Sequence, residues 1–220
     1  MSKNPPVLNG AESLVHTLVG NGLKVCFANP GTSEMHFVAA LDRIPGLRCI
    51  PGQQENVVTG MADGYARIAR DPAVTLLHCG PGLANGLANL HNARRAATPI
   101  VNVVGDHATY HLQYDALLTS DIVGFARPVS SWVHESKSAK TVASDAARAV
   151  QAARSAPGGV STLILPADTA WDAADRAAQA LPDIGPSAVG ADAIESAARL
   201  LSNGRKSALL LRGSALHGAG

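Results

Sequence analysis

Charge is scarce in this sequence. Only 16% of its 220 residues are Asp, Glu, Lys or Arg, and the net charge is +1. A basic excess that would point to nucleic acid is therefore missing, and so is an acidic tail. No apolar run reaches the roughly 18 residues that a membrane-spanning helix needs. The opening Met1-Ser-Lys-Asn-Pro-Pro has no apolar core of the signal-peptide kind. Cysteine is sparse: Cys26, Cys49 and Cys79 are odd in number and form no C-x-x-C pair. They read as reduced, mostly buried thiols of a cytoplasmic protein, and no metal site is expected from their spacing. Three phosphate or nucleophile signatures are also missing. The glycine-rich Cys79–Gly86 stretch carries Asn85 where a dinucleotide fingerprint needs its third glycine. No Gly-Lys-Ser/Thr follows it, as a P-loop would require, and no serine sits in a G-x-S-x-G elbow.

What the chain does hold is apolar residues, 46% of the total. They are enough for one large α/β domain, or for a domain with a fragment of another. Asn9 caps a first helix with a Leu14, Val15, Leu18, Val19 stripe, and Gly20-Asn21-Gly22 stops it. Aliphatic strands are expected near 24–28, 47–50, 73–78, 99–104, 128–134 and 161–165. Runs with so little polar alternation suit a sheet covered on both faces. Between them lie helices: one capped by Ser33 and running to Ile44, with Met35, Val38, Ala39 and Leu41 inward; one from Glu55 with Val57, Val58, Met61, Tyr65 and Ile68 inward; one to about Arg95; and one over 141–156. A polar loop is expected from Gly105 to Ser120. Short connections between alternating strands and helices predict a doubly wound, parallel six-stranded α/β sheet with helices on both faces. Past Asp168 the texture changes. We expect a first domain over 1–180, a Pro/Gly linker over 181–190, and over 191–220 a helix and a strand (207–211) that open a second α/β domain cut off at Gly220.

Ligands of an open parallel sheet bind beyond the carboxyl ends of its strands. Four segments belong there: Asn29–Ser33, Gly52–Glu55, His78–Gly82 and Gly105–His111. Glu55, in the first helical turn, reads either as an acid that merely caps backbone N–H groups or as a carboxylate held at the mouth of a cleft. Gly60 and Gly64 weaken that helix by about 1 kcal/mol each against Ala, which suggests close approach to its backbone. His78 reads either as a satisfied core residue or as a site residue. His107 and His111 are four apart but lie in an expected loop, so they are not read as metal ligands.

Together these motifs resemble the N-terminal, pyrimidine-binding domain of thiamine-diphosphate enzymes, the group that includes acetolactate synthase and benzoylformate decarboxylase. Asn29-Pro30-Gly31-Thr32-Ser33-Glu34 resembles their first active-site loop. Glu55 with Ala62-Asp63-Gly64-Tyr65-Ala66-Arg67 resembles the catalytic-glutamate segment. Gly80-Pro81-Gly82 with Asn85 is similar to the acetolactate synthase turn. His78, the run 115–120 and Trp132 look like the decarboxylase.

The resemblance implies that Glu55 hydrogen-bonds N1′ of the aminopyrimidine, so that the 4′ nitrogen can take the proton from thiazolium C2. It places Pro30, Gly31, Gly82 and Asn85 with Glu55 against the cofactor. It places Thr32 and His78, a second catalytic residue, on the side of a 2-oxo acid. It also implies a homodimer or homotetramer. The family's Gly-Asp-Gly magnesium motif is absent, and the one Gly-Asp here is Gly105-Asp106. We therefore expect a pyrimidine half-site only, no magnesium on this chain, and no activity from it alone. The rival expectations are a non-catalytic module that pairs with a separate diphosphate-binding chain, and an unrelated nucleotide binder using the Gly80–Gly86 turn.

Overall fold

The computed structural model describes residues 7–211 and 215. A parallel six-stranded sheet has the spatial order β3-β2-β4-β5-β7-β6. Its strands are β2 (Val25–Asn29), β3 (Arg48–Pro51), β4 (Ala73–Leu77), β5 (Ile100–Asp106), β6 (Trp132–Glu135) and β7 (Val160–Pro166). A separate ribbon pairs β1 (Leu8–Asn9) antiparallel with β8 (Ala173–Ala174).

Side chains alternate between two cores because successive strand residues point to opposite faces. Cys26, Ala28, Val74, Leu76, Val101, Val103, Leu163 and Leu165 pack against α1 (Gly10–Gly20), α2 (Met35–Arg43), α6 (Val142–Arg154) and α7 (Ala167–Trp171). Val25, Phe27, Ala73, Leu77, Ile100, Val104 and Ile164 pack against α3 (Glu55–Ala69), α4 (Cys79–Ala96) and α5 (Ile122–Ala126). The sheet is thus wound on both faces, as the strand pattern predicts. On the second face a polar ladder crosses the aliphatic layer. Thr75 Oγ1 donates to Asn102 Oδ1 at 2.7 Å, Asn102 Nδ2 donates to Thr162 Oγ1 at 3.0 Å, and Ser130 meets Thr162 at 2.8 Å. The parallel register sets Thr75 beside Asn102 and Asn102 beside Thr162.

Asn9 caps α1 as expected, in a capping box with Glu12. Several other expectations need correction. Ser33 is not a cap: it lies inside a 3-10 turn, Thr32–Glu34, that precedes α2. That turn rotates α2, so Phe37, Ala40 and Leu41 face inward while Met35 is exposed. In α3 the buried line is Val58, Ala62 and Ala66, with Val57 and Ile68 exposed. Small alanines, which carry little hydropathy, take the close contacts with the sheet. Gly60 does face a neighbour, since a Cβ there would lie 2.9 Å from Asn89 Nδ2; around Gly64 there is open space. The 105–120 region is not wholly loop: Gly105 and Asp106 extend β5, and Thr109–Tyr114 forms a 3-10 turn.

Residues 175–190 have no regular structure, but part of this stretch is tied to the body of the fold. Ala156 N donates to Ile184 O at 3.0 Å, and Gln151 Nε2 donates to Pro182 O at 2.6 Å. The helix α8 (Ala191–Leu201) is exposed throughout. The strand expected at 207–211 does not form. Those residues meet no strand edge that could take their backbone groups. Among the described residues no helix is long and apolar enough to cross a membrane.

Candidate functional site

The chain leaves β2 for β3 on one side and returns to β4 on the other. The connections after β2 and β4 therefore diverge, and their carboxyl ends open a crevice at this topological switch point. Pro30–Glu34 enters it from β2, and His78 and Cys79 enter it from β4.

Glu34 is the anchor of the first wall, and only 1% of it is exposed. Its Oε2 accepts from Gly31 N at 2.7 Å and shares a proton with His78 Nδ1 at 2.8 Å. Its other oxygen, Oε1, is buried without a hydrogen-bond partner. The carboxylate presses on Gly105 of β5 so closely that a Cβ there would stand 1.7 Å from Oε1. Desolvation pushes the Glu34 carboxyl up, and the neighbouring His78 and the Gly31 N–H only partly offset it. Gly31 in turn lies flat against the His78 ring, which a Cβ would meet at 2.5 Å.

Cys79 turns the chain from β4 into α4 with φ of +50°, in the left-handed region. A non-glycine residue there costs about 1–2 kcal/mol. Its Sγ lies 3.5 Å from Ser33 Oγ and 3.6 Å from His78 Nδ1. Burial raises the thiol to about 11; the Ser33 hydrogen bond opposes this, and the Glu34 and Asp106 charges add to it.

Glu55 stands on the second wall as the first residue of α3. It does not cap that helix. Gln54 does, accepting from Val57 N at 3.2 Å. The Glu55 carboxylate is instead turned toward α4, where Oε2 accepts from Asn85 Nδ2 at 3.1 Å. The two helices are clasped beneath it. Thr59 Oγ1 donates to Gly86 O at 3.0 Å, and Asn89 Nδ2 donates to Asn56 O at 2.8 Å. Gly82 separates Glu55 from His78: a Cβ there would be 3.4 Å from both Glu55 Oε1 and His78 Cβ.

The four rim segments thus meet, the last through Gly105. Pro30 and Thr32 are exposed on the same turn. His107 and His111 do approach one another, with ring centroids 5.8 Å apart, and His107 Nε2 is buried without a partner. Desolvation also raises Asp106.

Sequence reading set Ser33, Cys79 and Gly105 in rim segments and Glu34 in the family-like loop, but gave none of the four a role of its own. Glu34 left one signal, an acid three residues after Gly31, the spacing at which a carboxylate reaches back to a backbone N–H. Residue order places Gly105 at the rim but does not reveal its contact with Glu34, because that partner is 71 positions away in the chain. The residues present suit one half of thiamine diphosphate. Glu55 is an acceptor oriented by the Asn85 amide, with Gly82 beside its other oxygen.

Comparison with known proteins identifies the family of the chain. The family described as thiamine pyrophosphate enzyme, N-terminal TPP binding domain, matches residues 8–125. A Mycobacterium tuberculosis protein bearing the acetolactate synthase large subunit name IlvX is 53% identical, over 97% of this chain and 41% of that one. Benzoylformate decarboxylase of Pseudomonas aeruginosa is 33% identical, over 67% of this chain and 28% of its own. A solved structure, the thiamine diphosphate-dependent 4-hydroxybenzoylformate decarboxylase of Rhodococcus jostii RHA1, shares the fold. Its TM-score is 0.77 at 22% identity, covering 89% of this chain and 38% of that one. The chain spans less than half the length of these relatives. It belongs to the N-terminal thiamine-pyrophosphate-binding domain family.

Proposed function

We propose that this chain supplies the pyrimidine half of a thiamine-diphosphate site in an enzyme acting on 2-oxo acids, of the acetolactate synthase or benzoylformate decarboxylase kind. The observation that carries this reading is the Glu55 carboxylate, held by Asn85 over Gly82 and beside His78. When bound, the cofactor supplies a carbon nucleophile and an electron sink. Glu55 would hold a proton at the pyrimidine ring nitrogen, and Asn85, which already donates to Oε2, would leave Oε1 for it. Gly82, Gly31 and Pro30 would line the pyrimidine. Glu34 holds His78 through Nδ1, leaving Nε2 to hold or deliver a proton on the substrate side, together with the Thr32 hydroxyl.

The diphosphate and its magnesium belong to residues outside these 220, because no Gly-Asp-Gly occurs here. The chain alone is then inactive, and a working site needs a diphosphate-binding domain or a separate diphosphate-binding chain. The free thiols Cys26, Cys49 and Cys79 suit the cytoplasm.

Calorimetric titration of the pure chain with thiamine diphosphate, with and without magnesium, tests this. Weak, magnesium-independent binding that is lost in Glu55→Gln is expected. Tight, magnesium-dependent binding would overturn the half-site, and binding unchanged in Glu55→Gln would overturn the role of Glu55. Decarboxylation of pyruvate or benzoylformate by the pure chain would overturn its inactivity.

A further inference from the structure

We propose that Glu34, His78 and Cys79 form a binding site for one thiophilic divalent metal ion, with Zn2+ as its representative. Each residue offers one ligand atom, and the three atoms lie within 4.8 Å of one another. Thiolate, imidazole and carboxylate are the donors from which zinc sites are built. Three protein ligands leave the fourth tetrahedral position for water. The sulfur and nitrogen donors select against magnesium and calcium, which take oxygen.

Three further observations point the same way. The neighbours of the ligands already orient them, as outer-shell groups do: Gly31 N holds Glu34 Oε2 at 2.7 Å, and Ser33 Oγ lies 3.5 Å from Cys79 Sγ. Glu34 is buried, and its Oε1 has no hydrogen-bond partner. Finally, the left-handed backbone at Cys79 holds its sulfur beside His78 and Ser33. A strained residue at a switch-point crevice is where such a cost is commonly retained.

Binding would release the thiol proton to solvent and leave His78 protonated on Nε2 while Nδ1 takes the metal. The site uses the imidazole that the proposed function assigns to substrate, so the ion would act as an inhibitor or a stabiliser rather than a reactant. The inference rests on the donor set and not on the cofactor reading.

Titration of the 220-residue chain with Co2+ alone is the test, read by the thiolate-to-cobalt charge-transfer band and the tetrahedral d–d bands. One equivalent is expected, displaced by Zn2+. Cys79→Ser should abolish the charge-transfer band, and His78→Ala, which removes a direct ligand, should weaken binding by more than the roughly 10- to 100-fold that loss of an outer-shell partner costs. Cys49→Ser, at an exposed cysteine on β3, should leave both signals intact. Absence of a thiolate band overturns the proposal. So does a band that persists in Cys79→Ser or vanishes in Cys49→Ser. Far-UV circular dichroism verifies each variant's fold, and Glu34→Gln provides a third ligand test should Cys79→Ser not fold. Thiamine diphosphate calorimetry on the same samples is scored separately, so either reading can fail alone.

Discussion

Glu34 and Glu55 both border the turn from His78 to Gly82, yet the molecule holds them in opposite ways. Glu34 is sealed in, accepts a backbone N–H, shares a proton with an imidazole and has a glycine against its back. Glu55 is half-buried and accepts one side-chain amide, and its helix is capped by the residue before it. Glu34, with Oε2 tied to both Gly31 and His78 and only Oε1 unpaired, is a positioning part whose work in the metal-free chain is to hold His78. A carboxyl with a single protein partner keeps capacity for a ligand. If this is right, perturbing Glu34 should appear first in stability, and perturbing Glu55 should appear first in binding.

The sharpest test of the sealed wall is Gly105→Ala. A methyl group 1.7 Å from Glu34 Oε1 cannot be accommodated without moving the carboxylate or the central strand. Overpacking of this kind costs about 3 kcal/mol, to be read from the urea midpoint; a loss below about 0.5 kcal/mol would mean that Glu34 is not pinned. Next in size is Glu34→Ala, expected to cost about 2 kcal/mol because it leaves the Gly31 N–H and His78 Nδ1 unpaired in a buried place. Glu55→Ala, measured beside it, should stay within about 0.5 kcal/mol. Equal losses would erase the distinction.

The smallest effects are those of pH. Glu34 has a raised folded pKa, so the stability it contributes is full below its ordinary 4.5 and is lost as pH rises through the folded value. Glu34→Gln should flatten that part of the thermal midpoint against pH. Cys79 has the same sign in a higher window: its contribution is intact below 9.0 and lost as pH rises to about 11. Cys79→Ser should make the alkaline fall shallower without removing it, because the buried thiol of Cys26 is raised too. A fall in stability as pH drops toward 4.5 that disappears in Glu34→Gln would reverse the sign assigned to Glu34.

Residue order alone specified the local elements and the chemical class of the crevice. Strands of Val, Leu and Ile separated by helical spacing lead to a parallel, doubly wound sheet, because those runs must be covered on both faces. That topology puts Glu55, His78 and Gly82 at one rim before any coordinate is known, because ligands gather beyond the carboxyl ends of parallel strands; Asn85 was added by the family resemblance alone. Local signals were enough for Asn9 as a cap and for the glycine-rich start of α4, where the deciding contacts lie within one turn.

Long-range proximity decided the rest. Which face of α3 turns inward depended on alanines that fit against the sheet, so hydropathy pointed to Val57 and Ile68, which are exposed. The residues at 207–211 have strand-like composition and no edge to join. Glu34 meets His78 and Gly105 across 44 and 71 positions, and it is drawn into the interior only because Gly31, His78 and a side-chain-free strand residue converge on it. The Glu34–His78–Cys79 donor set has the same origin. Ligand spacing along the chain showed no metal motif, and the switch point between β2 and β4 brings the three groups together, because adjacent parallel strands deliver their following turns to one place however far apart they lie in the chain.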